Sequence, residues 1–294
     1  MFLDRCENLN YFRSCFPEIV LNWMKEAFMW KFNSTLKLLI LMMIAGLIFR
    51  VARIFEDHYI DKDAVVYISM ADKMADGHLK ESFSIMPRIP PLYIALMALG
   101  KKIGIGTETA GNIISLLAGI LLIIPVFVVA REIAGEKVAL AAAFLATTHP
   151  YLIRDSAEVM RDSLFLTLLF TSIAFAVKAA GKEAYSRLWY LSGFFAALSI
   201  LTRSEGNELL LAFPVWVLYE ILSSWEKGDL KLVLKRFLFS ATAAFVGFII
   251  VAVPSQFFLF RNGSDWTMLD RRIFSYAESF MSLSKEQIIE TEGQ

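Results

Sequence analysis

Cysteine and histidine are scarce in this 294-residue chain: Cys6 and Cys15 both lie in the polar N-terminal stretch, and His58, His78 and His149 stand far apart. Neither a disulfide framework nor a zinc site can be read from so few, so spaced. An excess of one charge is lacking too, because 29 Lys and Arg balance 29 Asp and Glu. No global positive field is available to recruit nucleic acid, and none is expected as a partner. Charged residues as a class make up only 20% of the chain, against about 25% in an ordinary soluble domain. Apolar residues take their place, at 57% with a mean hydropathy of +0.55, which argues against a soluble globular protein. The first 35 residues mix Arg5, Arg13, Lys25 and Lys31 with Trp23, Phe28 and Trp30. They lack a short basic start followed at once by an apolar stretch and a small-residue cleavage site. They read as a retained cytoplasmic interfacial segment, 1–35.

The apolar residues fall in runs at about 36–55, 109–130, 138–153, 159–180, 188–202, 209–223 and 237–260. Most are long enough to cross a hydrocarbon core of roughly 30 Å. The fold class expected is therefore all-α integral membrane, with about seven transmembrane helices. Without repeats or flexible linkers, 36–260 forms one membrane domain, and 261–294 is an outer polar tail. Orientation follows the short loops that keep Lys and Arg. The loops 131–137, 178–187 and 227–236 hold two, three and four such residues, which places them and the N-terminus in the cytoplasm. The long loop 56–108 and the turns 154–162 and 203–208 then face outward, across the plasma membrane. The segment 91–103 is too short to span, opens on a proline pair and closes on Lys101 and Lys102. Together with the stretch from Asp63, it reads as an amphipathic juxtamembrane helix of the first outer loop.

The unusual charges gather on that outward face. Glu56, Asp57, Asp61 and Asp63 form an acidic rim, able to supply a general base, to hold a divalent cation, or simply to cap a solvated loop. The spacing of Asp63, Tyr67 and Ala71 is helical and puts Asp63 at a helix start, where the dipole favours a carboxylate. Arg88 precedes the rigid Pro90-Pro91 turn that leads to Tyr93, placing a planar fork where a phosphate or the interface itself could hold it. In the turn 154–162, Glu158 and Asp162 are four apart and read as one helical face, with Arg154 and Arg161 nearby to pair them. A structural ion-pair network explains this turn as well as a site does. The same holds for Arg203, Glu205 and Glu208 around Gly206.

These motifs, in this order against the spans, resemble the C-type glycosyltransferases. The sequence elements are Asp63…Tyr67…Ala71, Arg88-x-Pro-Pro-Leu-Tyr93 closing in Lys-Lys-x-Gly104, Ala130-Arg131-Glu132-x-x-Gly135, Arg154…Glu158…Asp162, and Leu201-Thr202-Arg203-x-Glu205-Gly206. The chain is similar over roughly 36–260 to the superfamily of dolichyl-phosphate-mannose-protein mannosyltransferases and aminoarabinose transferases, family 39-like. The resemblance implies a cell-envelope enzyme that moves a sugar from a polyprenyl-phosphate donor to an acceptor lipid, glycan or protein at the outer face. It implies that the catalytic carboxylate is Asp63, with Asp61 and Asp57 as weaker alternatives. It implies that Arg88 meets the lipid phosphate; Tyr67, Tyr93, Arg154, Glu158, Asp162, Arg203 and Glu205 are the candidate substrate-binding residues beside it. Two features depart from the pattern. Ala64 stands where a Glu is usual, and the tail is short against the further spans or outer domain of relatives. A minimal module, a truncated frame and an inactive remnant all stay open.

The chemistry can also be argued without the family. A sugar linked through phosphate already carries a good leaving group, so transfer needs a carboxylate base and cations for the developing phosphate charge. Attack from the face opposite the phosphate inverts the anomeric centre. No cofactor follows from this, and a metal ligand set cannot be named. Two other readings compete: a membrane transporter and a non-catalytic lipid-binding assembly subunit.

Overall fold

The computed structural model describes residues 34–56, 61–180, 186–209 and 230–268. Asp57, nearly all of the interfacial segment 1–35, most of the run 209–223 and the tail beyond residue 268 lie outside the described residues. The described residues are helical, with no strand among them. Hydrocarbon dictates this, because an α-helix pairs every backbone polar group within its own segment. In chain order they form α1 (Ser34–Glu56), α2 (Lys62–Ala75), α3 (Leu79–Ile85), α4 (Leu92–Lys102), α5 (Thr107–Leu121) and α6 (Ile123–Ala134). After these come α7 (Glu136–Thr148), α8 (Pro150–Ala157), α9 (Asp162–Ala180), α10 (Leu188–Ile200), a 3₁₀ turn (Ser204–Asn207) and α11 (Leu230–Arg261).

Four described helical runs are long and apolar enough to cross a membrane: Ser34–Glu56, Thr107–Ala134, Asp162–Ala180 and Leu234–Arg261. The chain is thus a multi-pass membrane protein. The run Thr107–Ala134 joins α5 to α6 with one irregularity at Leu122, where Pro125 has no N–H to give the Leu121 carbonyl. Two expected spans come out shorter. The run 138–153 is not one helix, because α7 stops at Thr148 and His149 is extended (φ −66°, ψ 121°). Pro150 causes the break: it disfavours helical geometry in the residue before it and cannot donate a hydrogen bond. The run 188–202 gives α10, only 13 residues long.

Small residues set the helix packing, as expected where lipid is as apolar as leucine and burial alone drives no association. A methyl group on Gly193 of α10 would stand 1.8 Å from the Ala244 carbonyl oxygen of α11, and one on Gly247 would stand 1.9 Å from that of Tyr190. Gly135, at φ 83°, turns α6 back along α7, around Ile123, Phe127, Ala139 and Ala143. Near the end of α1, Arg50 is fully buried. Its guanidinium finds oxygen instead of a carboxylate: Nε donates to Ser156 Oγ at 2.8 Å, Nη1 to the Gly46 carbonyl at 3.1 Å and Nη2 to the Ala146 carbonyl at 3.4 Å. Three acceptors from three helices offset part of the cost of a charge in this setting. They also lock α8 to α1.

Helices α2 and α4 cap one end of the bundle. Their inner faces bury Tyr67, Met70, Tyr93, Ile94 and Met97 in one cluster with Val159, Ile200 and Leu201. The Leu92 N–H donates to the Leu201 carbonyl at 2.9 Å, tying the start of α4 to the end of α10. Near Tyr67 at that end lie Asp63, Arg161, Asp162 and Arg203.

Candidate functional site

The acidic rim divides its labour at the start of α2. Asp61 is the N-cap, extended at φ −62° and ψ 152°, and its side chain accepts the Asp63 N–H at 2.8 Å. Such a cap satisfies one of the orphan donors of a helix start. Asp63 lies in the first turn, exposed, and among the described residues its carboxylate takes part in no hydrogen bond and no ion pair. One turn further on, Tyr67 is buried.

Tyr67 meets Tyr93 edge to face, with ring centres 5.9 Å apart and planes at 75°. The Tyr93 hydroxyl lies 3.1 Å from the Gly111 carbonyl and 2.9 Å from Ser115 Oγ. Ser115 in turn donates to the Met160 carbonyl at 2.8 Å and accepts the Met160 N–H at 3.3 Å. This relay from α4 through α5 fixes the irregular segment between α8 and α9. Burial pushes both tyrosine hydroxyls above their ordinary range, so both stay neutral at physiological pH.

The sequence expectation for the turn 154–162 is corrected here. Glu158 and Asp162 do not share a helical face: α8 ends at Ala157, Glu158 is extended (φ −112°, ψ 164°), and α9 starts afresh at Asp162. The cations are distributed differently as well. Arg154 donates from Nε and Nη2 to Asp155 at 3.2 and 3.0 Å and stacks over Tyr151 at 5.1 Å. Asp162 is held by Arg203, 41 residues away in sequence. Arg203 also grips Glu205 at 2.8 Å and sits over the Phe165 ring. That hydrogen bond holds the Glu205 carboxyl below the usual range and raises the Arg203 guanidinium.

Arg161 is the residue that the sequence assigned to plain ion pairing. Its guanidinium lies over the Tyr67 ring at 5.5 Å, while its Nε and Nη1 are buried without a hydrogen-bond partner. The structure thus gathers Tyr67, Tyr93, Asp162, Arg203 and Glu205, adds Arg161, and leaves Asp63 at the rim. The charges of Arg161, Asp63, Asp162 and Arg203 all act on the Tyr67 hydroxyl. Other sequence candidates fall elsewhere. Arg154 lines a separate cavity of about 530 Å³ with Phe49, Arg53, Glu56 and Tyr151, and the Glu158 charge acts on Arg154. Arg88 is exposed in the turn before α4, though Ile89 and Pro90 beside it are buried. No group of three His, Cys, Asp or Glu among the described residues stands close enough to hold a metal ion.

The sequence matches a known family model. That model, dolichyl-phosphate-mannose-protein mannosyltransferase, covers residues 88–255, more than half of the chain. The chain belongs to this family. It is a membrane glycosyltransferase of the mannosyltransferase type. No curated protein and no solved structure matches it. The matched range opens at Arg88 and takes in α4 to most of α11, so Arg161, Asp162, Arg203 and Glu205 fall within it and Asp61 and Asp63 precede it. Chemically, the cluster offers one carboxylate open to solvent, one arginine neutralised by two carboxylates, and one arginine with unspent donors.

Proposed function

We propose that this protein transfers a sugar from a polyprenyl-phosphate donor to an acceptor hydroxyl of a lipid, glycan or protein, with inversion, using Asp63 as general base. The site faces outward across the plasma membrane, within a catalytic domain spanning 36–260. In the reaction, the acceptor oxygen bonds to the anomeric carbon as its proton passes to the Asp63 carboxylate. The bond from that carbon to the phosphate oxygen breaks, and its electron pair leaves with the phosphate. Asp61 serves by capping α2 and setting the place of Asp63. Arg203 orders Asp162 and Glu205 beside the site, and Arg88 meets the donor headgroup at the rim.

The observation that carries this reading is the unengaged Asp63 carboxylate, one helical turn from Tyr67 and beside the arginine-bearing cluster. A carboxylate is a weak base, so its effect must come from position. Asp63→Asn removes the basic oxygen at nearly constant shape. Turnover is expected to fall by about 10²–10⁴-fold with insertion unchanged, while Asp61→Asn costs less. The anomeric configuration of the product, read by NMR, is expected to be opposite to that of the donor. Retained configuration, or an Asp63→Asn enzyme above about a tenth of the wild-type rate, contradicts the assignment.

A further inference from the structure

We propose that Arg161 is the residue that grips the phosphate of the donor lipid and takes up its charge as the sugar leaves. This deepens the reading given under Proposed function and rests on it. The two arginines of the cluster are in different electrostatic states. Arg203 has one terminal nitrogen on Asp162 and the other on Glu205, so two carboxylates offset its charge. Among the described residues, Arg161 has no carboxylate within ion-pair distance, and its side-chain nitrogens donate no hydrogen bond. Its nearest support is the face of Tyr67, which attracts the cation but leaves the N–H groups unspent.

Buried donors without acceptors are costly, and more so on a charged group. A guanidinium held in that state against a ring keeps donors that an anion would satisfy. A phosphate monoester or diester fits its planar fork. The chain around it is fixed from both sides: the Met160 backbone is tied to Ser115 at 2.8 and 3.3 Å, and Asp162 is tied to Arg203. Asp63 and Arg161 bear on the same Tyr67 from its own helix and from the α8–α9 segment. A sugar held between them has its acceptor near the carboxylate and its phosphate near the cation, as attack from the face opposite the phosphate requires. Arg88 is exposed, which suits a first contact rather than the bound phosphate.

The test uses the full-length protein in lipid nanodiscs and follows thermal unfolding with a short-chain polyprenyl monophosphate, the matching polyprenol, or inorganic phosphate. The wild type is expected to be stabilised by the monophosphate alone. Arg161→Met, which removes an unpaired cation, is expected to unfold no earlier than wild type without ligand and to bind the monophosphate roughly 10- to 100-fold more weakly, the loss of charge-assisted hydrogen bonds. Arg161→Lys, which keeps the charge without the fork, should fall between, and Arg88→Ala, at a first contact with the headgroup, should lose less than Arg161→Met. Should the Met variant fail to fold, the Lys variant decides: undiminished affinity there overturns the proposal. So does a wild-type response in Arg161→Met, a loss confined to Arg88→Ala, or equal stabilisation by polyprenol. Stabilisation by inorganic phosphate alone assigns the site to free phosphate and overturns the lipid assignment. A wild type indifferent to every phosphate ligand overturns the donor reading itself, and Arg161 with it.

Discussion

Glu205 and Arg203 form an ion pair with a third member. Arg203 links Glu205 to Asp162 at the head of α9, so the pair closes the end of α10 onto α9. The hydrogen bond from Arg203 lowers the Glu205 carboxyl pKa. A carboxyl lowered in the folded state adds stability above its unfolded pKa, near 4.3, and loses it as pH falls through the lower folded value. Glu205→Gln is therefore expected to unfold earlier than wild type at pH 7, by an equivalent of less than about 1 kcal/mol because the pair is half in water. The gap should close below about pH 4. Thermal melts across that range check this, and a gap that persists in acid shows that the carboxylate charge is not its source. The sequence showed that Arg203 and Glu205 were unusual near a span end. It could not show that Asp162 was the third member, since helical spacing describes only neighbours within one helix.

At the scale of elements, two prolines and two glycines decide the architecture. Pro150 splits one apolar run into α7 and α8. Hydropathy sees only apolar length there, and the His149-Pro150 signal has to be read separately. Pro125 leaves α5 and α6 nearly continuous, so the same residue type has different effects at different depths of a run. Gly193 and Gly247 let α10 and α11 touch backbone to backbone, and nothing in a single apolar run announces which glycine lies at a crossing. Gly193→Ala puts a methyl group into the Ala244 carbonyl and forces the helices apart. The expected loss is about 1–3 kcal/mol or more, read from the unfolding midpoint of the solubilised protein. Gly106→Ala, whose new methyl group would meet nothing closer than 3.9 Å, is expected to cost clearly less, its penalty limited to the less favourable N-cap of α5. Equal behaviour of the two variants contradicts the crossing.

At the scale of the whole molecule, the helical class, the long apolar spans and several charged residues of the Tyr67 cluster were legible in composition and spacing alone. The partners within that cluster were not, because they come from α2, α4, α9 and the end of α10 and meet only in the folded chain. The orientation proposed from the Lys and Arg loops is open to direct test in a variant without Cys6 and Cys15. Lys80→Cys and Lys137→Cys, both at exposed positions, lie at opposite ends of the bundle. An impermeant thiol reagent on intact cells is expected to label the first and spare the second, and the reverse pattern inverts the topology. The central claim, that the chain cleaves a lipid-linked sugar rather than moving it across the membrane, needs the purified protein in sealed vesicles. The vesicles carry a polyprenyl-phosphate hexose labelled in the sugar, with a hydroxyl acceptor outside. The account predicts labelled acceptor and free polyprenyl monophosphate in equal amounts, both abolished by Asp63→Asn. Labelled lipid that crosses the bilayer intact, with no monophosphate released, would contradict it.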